Sequence, residues 1–109
     1  MKRFIRYRDG EDTLEIRPVS RLITMGGNVA AEIQLFFEPR DGTIGNVDYV
    51  DLSVTNDKEL DVMKAIADAI NHSVDPIITV ADEYVSLFIH PELDEVVAIA
   101  NASDTDPAA

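Results

Sequence analysis

The groups here that could hold a metal or pass protons near neutral pH are two histidines and twenty-one carboxylates; there is no cysteine. That absence removes disulfides, thiolate metal sites and cysteine nucleophiles together. His90 ends an apolar run just before Pro91, and His72 falls where a helix should be ending. A cation at a helix C-terminus complements the dipole, which explains His72 without catalysis. Neither histidine has further ligands at metal-site spacing. The carboxylate pairs Asp82-Glu83 and Asp94-Glu95 read as solvated turns, and no D-x-[DN]-x-[DN]-G calcium loop is present. Neither G-x-S-x-G nor a P-loop occurs, and Gly26-Gly27 and Gly42-x-x-Gly45 are too short and isolated to cradle phosphate. Gly26-Gly27 is expected instead to supply the positive φ angles of a turn. Asn71-His72-Ser73 and Asn101-Ala102-Ser103 match the glycosylation acceptor but carry no weight without a secretory signal. The sequence therefore predicts a protein without catalytic residues, cofactor or metal.

The basic residues are more suggestive. Residues 1–21 carry Lys2, Arg3, Arg6, Arg8, Arg17 and Arg21 against four acidic residues, whereas the whole chain has a formal net charge of −12. The remainder, residues 22–109, therefore holds a net −14. A positive start on a negative body can attract a neighbouring copy or an acidic partner. On a strand, Lys2, Phe4, Arg6 and Arg8 share a face, and Lys2, Arg6 and Arg8 are the candidate partner-contact residues. Basic side chains interleaved with Phe4 and Tyr7 could stack bases, but cations along a strand also guard an edge against further pairing. A net −12 opposes wholesale phosphate binding, so no nucleic acid is expected. No membrane is expected either, since nothing approaches the roughly 18 apolar residues of a span. The opening MKRFIRYRDG lacks an apolar run suited to a signal-peptide core.

The elements that must position these groups follow from periodicity. Alternation marks strands at Phe4–Arg8, Thr13–Arg17, Val19–Met25, Ala31–Phe37 and Val47–Thr55. Asp9-Gly10 and Pro18 close the first two, and a loop around Asp41-Gly42 precedes the fifth. Leu60, Met63, Ile66, Ala67 and Ile70 then recur at helical spacing, with Val62 and Ala69 widening the stripe. Asn56 reads as the N-cap and Glu59 as its capping-box partner, giving a helix over about 57–72 that ends ahead of Pro76. Three further strands are expected at Ile77–Ala81, Tyr84–His90 and Glu95–Ala100. Short connections favour an antiparallel meander.

The expected fold is α+β: a mostly antiparallel sheet or small two-sheet sandwich of seven to eight short strands, with one amphipathic helix. Residues 1–100 should form one domain and 101–109 a flexible acidic tail. Tyr84–His90 is apolar on both faces, and one helix covers only one face of a sheet. The second face should need another sheet or another subunit, hence an expectation of self-association.

Three blocks carry a resemblance. They are Arg6-Tyr7-Arg8-Asp9-Gly10-Glu11-Asp12-Thr13-Leu14, the run from Val54-Thr55 to Asn71, and Val80-Ala81-Asp82-Glu83-Tyr84 leading to His90-Pro91. In these the chain resembles the small, uncharacterised virion or orphan proteins of marine tailed bacteriophages, especially those of cyanobacteria. The resemblance implies a non-enzymatic structural or accessory protein, a capsid decoration or tail component, located in the virion or the host cytoplasm. Its partners would be other copies of itself or phage particle proteins. The alternative is an acidic module that occupies a basic site on a host protein during infection, as an inhibitor or nucleic-acid mimic. The resemblance carries over no site residue.

Overall fold

The computed structural model describes residues 3–10, 13–27, 30–38 and 48–100. Among these residues the protein is α+β, with eight strands in two four-stranded sheets and one helix. The strands are β1 (Phe4–Asp9), β2 (Thr13–Pro18), β3 (Leu22–Gly26), β4 (Glu32–Phe37), β5 (Asp48–Val54), β6 (Ile77–Asp82), β7 (Leu87–Phe88) and β8 (Leu93–Ala100). The helix α1 spans Glu59–His72. The first sheet has the order β2-β1-β6-β7 and the second β3-β4-β5-β8. Lys2, the loop around Asp41-Gly42 and the 101–109 segment lie outside the described residues.

Alternation sorts the second sheet cleanly. Ile33, Leu35 and Phe37 of β4 stand opposite Leu52, Val50 and Asp48 of β5, and all six are buried. Leu93 and Val96 of β8 complete that inner face. Ile5 and Tyr7 of β1 with Ile78, Val80 and Ala81 of β6 face them from the first sheet. Helix α1 contacts β4 of one sheet and β6 of the other, and its buried residues Val62 and Ile66 join the same core. The inner face of each sheet is thus covered by the other sheet, with the helix filling the gap between them.

Several expectations need correction. The sheets are not a simple meander, because β1 pairs in parallel with β6, with a bulge at Arg6/Tyr7. The N-terminal strand is therefore interior to its sheet, flanked by β2 and β6, rather than an edge. The helix begins at Glu59, not at an Asn56 cap. Asn56 and Asp57 form a turn with Asp57 at φ 70°, and Lys58 occupies the N-cap position without a side-chain bond. Glu59 turns its carboxylate to the Ala31 N–H at 2.8 Å, tying the helix start to the turn before β4. That bond holds the Glu59 carboxyl below its usual range. Ala31, at φ 65°, takes the left-handed conformation expected of Gly26-Gly27, neither of which has a positive φ.

Val19–Met25 divides into a 3-10 turn at Val19–Arg21 and β3, forming the corner where the chain passes between sheets. Tyr84–His90 does not form a strand apolar on both faces. Residues 83–86 are a turn, and only Leu87–Phe88 pair, against Ala81 and Asp82. Ser86 at φ 55° makes that turn possible and leaves Tyr84 and Val85 exposed. At the other end of α1 the C-terminal carbonyls are met by Arg3, not by His72. The Arg3 guanidinium donates to the carbonyls of Ala69 (3.4 Å), Ser73 (3.1 Å) and Ile70.

Candidate functional site

The first sheet is where Arg6 and Arg8 of the sequence-predicted contact residues fall, Lys2 lying outside the described residues, and its two faces differ. Cross-strand register places Glu15, Tyr7, Ala81 and Phe88 in one inner row and Leu14, Arg8, Asp82 and Leu87 in the adjacent outer row. Ile16, Arg6 and Thr79 form a second outer row, and Pro18, Phe4 and Ile77 a third. The β2 strand is thereby turned opposite to its hydrophobicity. Leu14 and Ile16, 44% and 46% exposed, face outward, while Glu15 and Arg17 face the core.

Arg6 and Arg8 are not free cations on this face. Both turn toward the buried carboxylate of Asp82, Arg6 in direct contact and Arg8 at 4.0 Å. The second Asp82 oxygen accepts the Tyr84 N–H at 3.0 Å, and the Arg8 guanidinium lies 5.2 Å from the Tyr84 ring centroid. Burial would raise the Asp82 carboxyl, but the Arg6 bond and charge, the Val85 N–H and Arg8 outweigh it and hold the carboxyl below its usual range. Beside it, Glu83 accepts the Gly10 N–H (3.0 Å) and the Val96 N–H (2.6 Å), joining the β1–β2 turn to β8 of the opposite sheet. The result is an ion-paired polar centre, two guanidinium groups on one carboxylate, set among exposed apolar side chains.

Between the sheets lies a second polar group that sequence reasoning did not identify. The Tyr7 hydroxyl donates to Glu15 Oε1 at 2.7 Å. Arg17 donates to the same oxygen through Nε (3.3 Å) and to Asp48 Oδ2 through Nη2 (2.8 Å). Its guanidinium stands 5.5 Å from the Phe37 ring centroid. Burial and the Glu15 carboxylate together raise the Tyr7 phenol far above its ordinary value. For Arg17 burial opposes the charge, but the bond to Asp48 and the Glu15 charge prevail, so it stays protonated. Both carboxylates here are bonded to the one Arg17 guanidinium, and the Tyr7 hydroxyl adds a donor to Glu15, so the cluster links β1, β2 and β5. This is a structural tie, because buried charges need paired partners. The available signal was the alternation of Glu15 and Arg17 with Leu14 and Ile16, which fixes two faces without saying which one is inside.

A groove of about 360 Å³ follows β2, lined by Leu14, Glu15, Ile16, Arg17, Pro18, Arg21 and Glu38. Among the described residues no cluster of three or more His, Asp or Glu is arranged to hold a metal ion, and no helix is long and apolar enough to cross a membrane. His72 is exposed, and the His90 ring nitrogen accepts the Glu92 N–H at 3.0 Å in a turn. The outer face of the first sheet thus combines exposed apolar flanks, an ion-paired centre and a groove along one side. Comparison with family models, with curated proteins and with solved structures gave no match.

Proposed function

We propose that this protein is a non-enzymatic docking protein, a structural or accessory component of a tailed-phage particle. The observation that carries the docking role is the outer face of the first sheet. Leu14, Ile16, Ile77 and Leu87 stand exposed there, around an Arg6–Arg8–Asp82 centre in which one carboxylate holds two guanidinium groups. Burying the apolar flanks supplies affinity, and the excess positive charge of the centre suits an acidic group on the partner. The phage setting rests on the resemblance of the three sequence blocks. Lys2 and the arginines are secondary in this reading, since Arg6 and Arg8 are engaged within the sheet.

A mass-spectrometric inventory of purified phage particles tests it, and many copies per particle are expected. The acidic body favours a second reading, a module that occupies a basic site on a host protein. Abundance in infected cells with absence from particles would replace the first reading by the second.

A further inference from the structure

Among the described residues four strand edges bound the two sheets, and three of them are blunted. The two-residue β7 is too short to template a partner. The β8 edge is met by Glu83, which takes the Val96 N–H. The β3 strand is a five-residue edge with a bulge at Leu22/Thr24. Among the described residues nothing pairs with the outer side of β2. The Val19 N–H bonds the Arg3 carbonyl at 2.9 Å, which fixes the alternation along the β1–β2 ladder. Residues 13, 15 and 17 bond inward to β1, and the N–H and C=O groups of Leu14 and Ile16 point outward.

We propose that β2 pairs with β2 of a second copy, antiparallel about a two-fold axis at Ile16, joining two first sheets into one of eight strands. This rests on the docking reading above and names the partner as another copy of the chain. Register follows from charge. Only an even offset keeps the two outer faces on the same side. Setting Glu15 opposite Glu15, or Arg17 opposite Arg17, brings like charges together across a close non-bonded pair. Setting Ile16 opposite Ile16 instead brings Glu15 of each copy opposite Arg17 of the other. That register also tolerates Pro18, whose carbonyl can accept the Leu14 N–H although it has no N–H to return. The exposed Leu14 and Ile16 of both copies then form one continuous apolar row. The seam strand itself is neutral, with one Glu15 and one Arg17, so the strongly acidic part of the chain after residue 21 supplies no strand to the contact.

Because the chain has no cysteine, a single introduced thiol reads the register directly. Bonded cross-strand pairs have Cα atoms about 5.5 Å apart, within disulfide reach. Ile16→Cys is therefore expected to oxidise to a covalent dimer. Leu14→Cys, whose two copies would stand roughly 13 Å apart, is not. Ile23→Cys, on the exposed β3 edge, is the second negative control. Light scattering should give a dimer mass for wild type, and Ile16→Lys, with two ammonium groups at the axis, should lower the dimer fraction tenfold or more while its thermal melt stays near wild type. A wild-type monomer at every concentration overturns the seam, and so does cross-linking of the Leu14→Cys or Ile23→Cys variant in place of Ile16→Cys. If particles still contain the monomeric protein, the docking reading survives that failure. If the dimer forms but particles lack the protein, the particle reading fails and the seam stands.

Discussion

Tyr7 shows how one phenol can set the alkaline limit of a fold. Its hydroxyl is buried against the Glu15 carboxylate, and its ionisation is displaced far above the unfolded value of about 10. A raised acid contributes stability that is complete below the unfolded pKa and is lost as the pH rises toward the folded one. Denaturant melts should therefore weaken progressively above about pH 10, at up to about 1.4 kcal/mol per pH unit. Tyr7→Phe should cost about 1 kcal/mol at pH 7 through the lost hydrogen bond and give a flatter alkaline limb. Asp82 acts with the opposite sign. Its carboxyl is lowered by Arg6, so its contribution is complete above about pH 5 and is lost as the pH falls below the unfolded value of about 3.9. Asp82→Asn should be less stable at neutral pH and lose less on acidification, measured as melting temperature from about pH 6 down through the unfolded value.

At the scale of elements, the helix separates positions that sequence periodicity had grouped. Ile66 is fully buried between the sheets, whereas Leu60 in the same apolar stripe is 59% exposed. Ile66→Ala should cost about 2–4 kcal/mol through lost transfer energy and a cavity, and Leu60→Ala less than about 0.5 kcal/mol. Asn56→Ala should also fall within about 0.5 kcal/mol, since Asn56 lies in the preceding turn and the helix N-terminus has no side-chain cap. Chemical denaturation of the three variants reads all of these. The contrast shows what periodicity carries. The α+β class, the number of strands and the buried faces of β4 and β5 are local patterns and were legible in the sequence. The inversion of β2, the parallel β1–β6 pairing and the Arg3 cap on α1 depend on residues far apart in the chain, and local pattern holds no record of them. Tyr84–His90 misled for the reverse reason. Its apolar content is high, but Ser86 bends the backbone and only two residues pair.

For the whole molecule, charge decides how copies meet. A chain of net −12 repels its own kind over distances longer than a contact. Physiological salt screens that repulsion beyond about 8–10 Å while leaving short paired contacts largely intact. Self-association through β2 should therefore strengthen between low and moderate salt, read as dimer fraction by light scattering at fixed protein concentration. A basic host partner would show the reverse, binding more weakly as salt rises.

The interior place of β1 also bears on how the protein is made. β1 leaves the ribosome well before its parallel neighbour β6; Arg6 and Asp82, which meet across that pair, are 76 residues apart in sequence. Until β6 emerges, the nascent β1–β2 hairpin has no neighbour on either side, and two-stranded hairpins are at best marginal in water. Folding must then wait for a long loop to close, which slows it and prolongs exposure of two unpaired edges. Synthesis stalled before Ile77 should leave a protease-sensitive chain, and release of the last strands should convert it to the compact form in a single step.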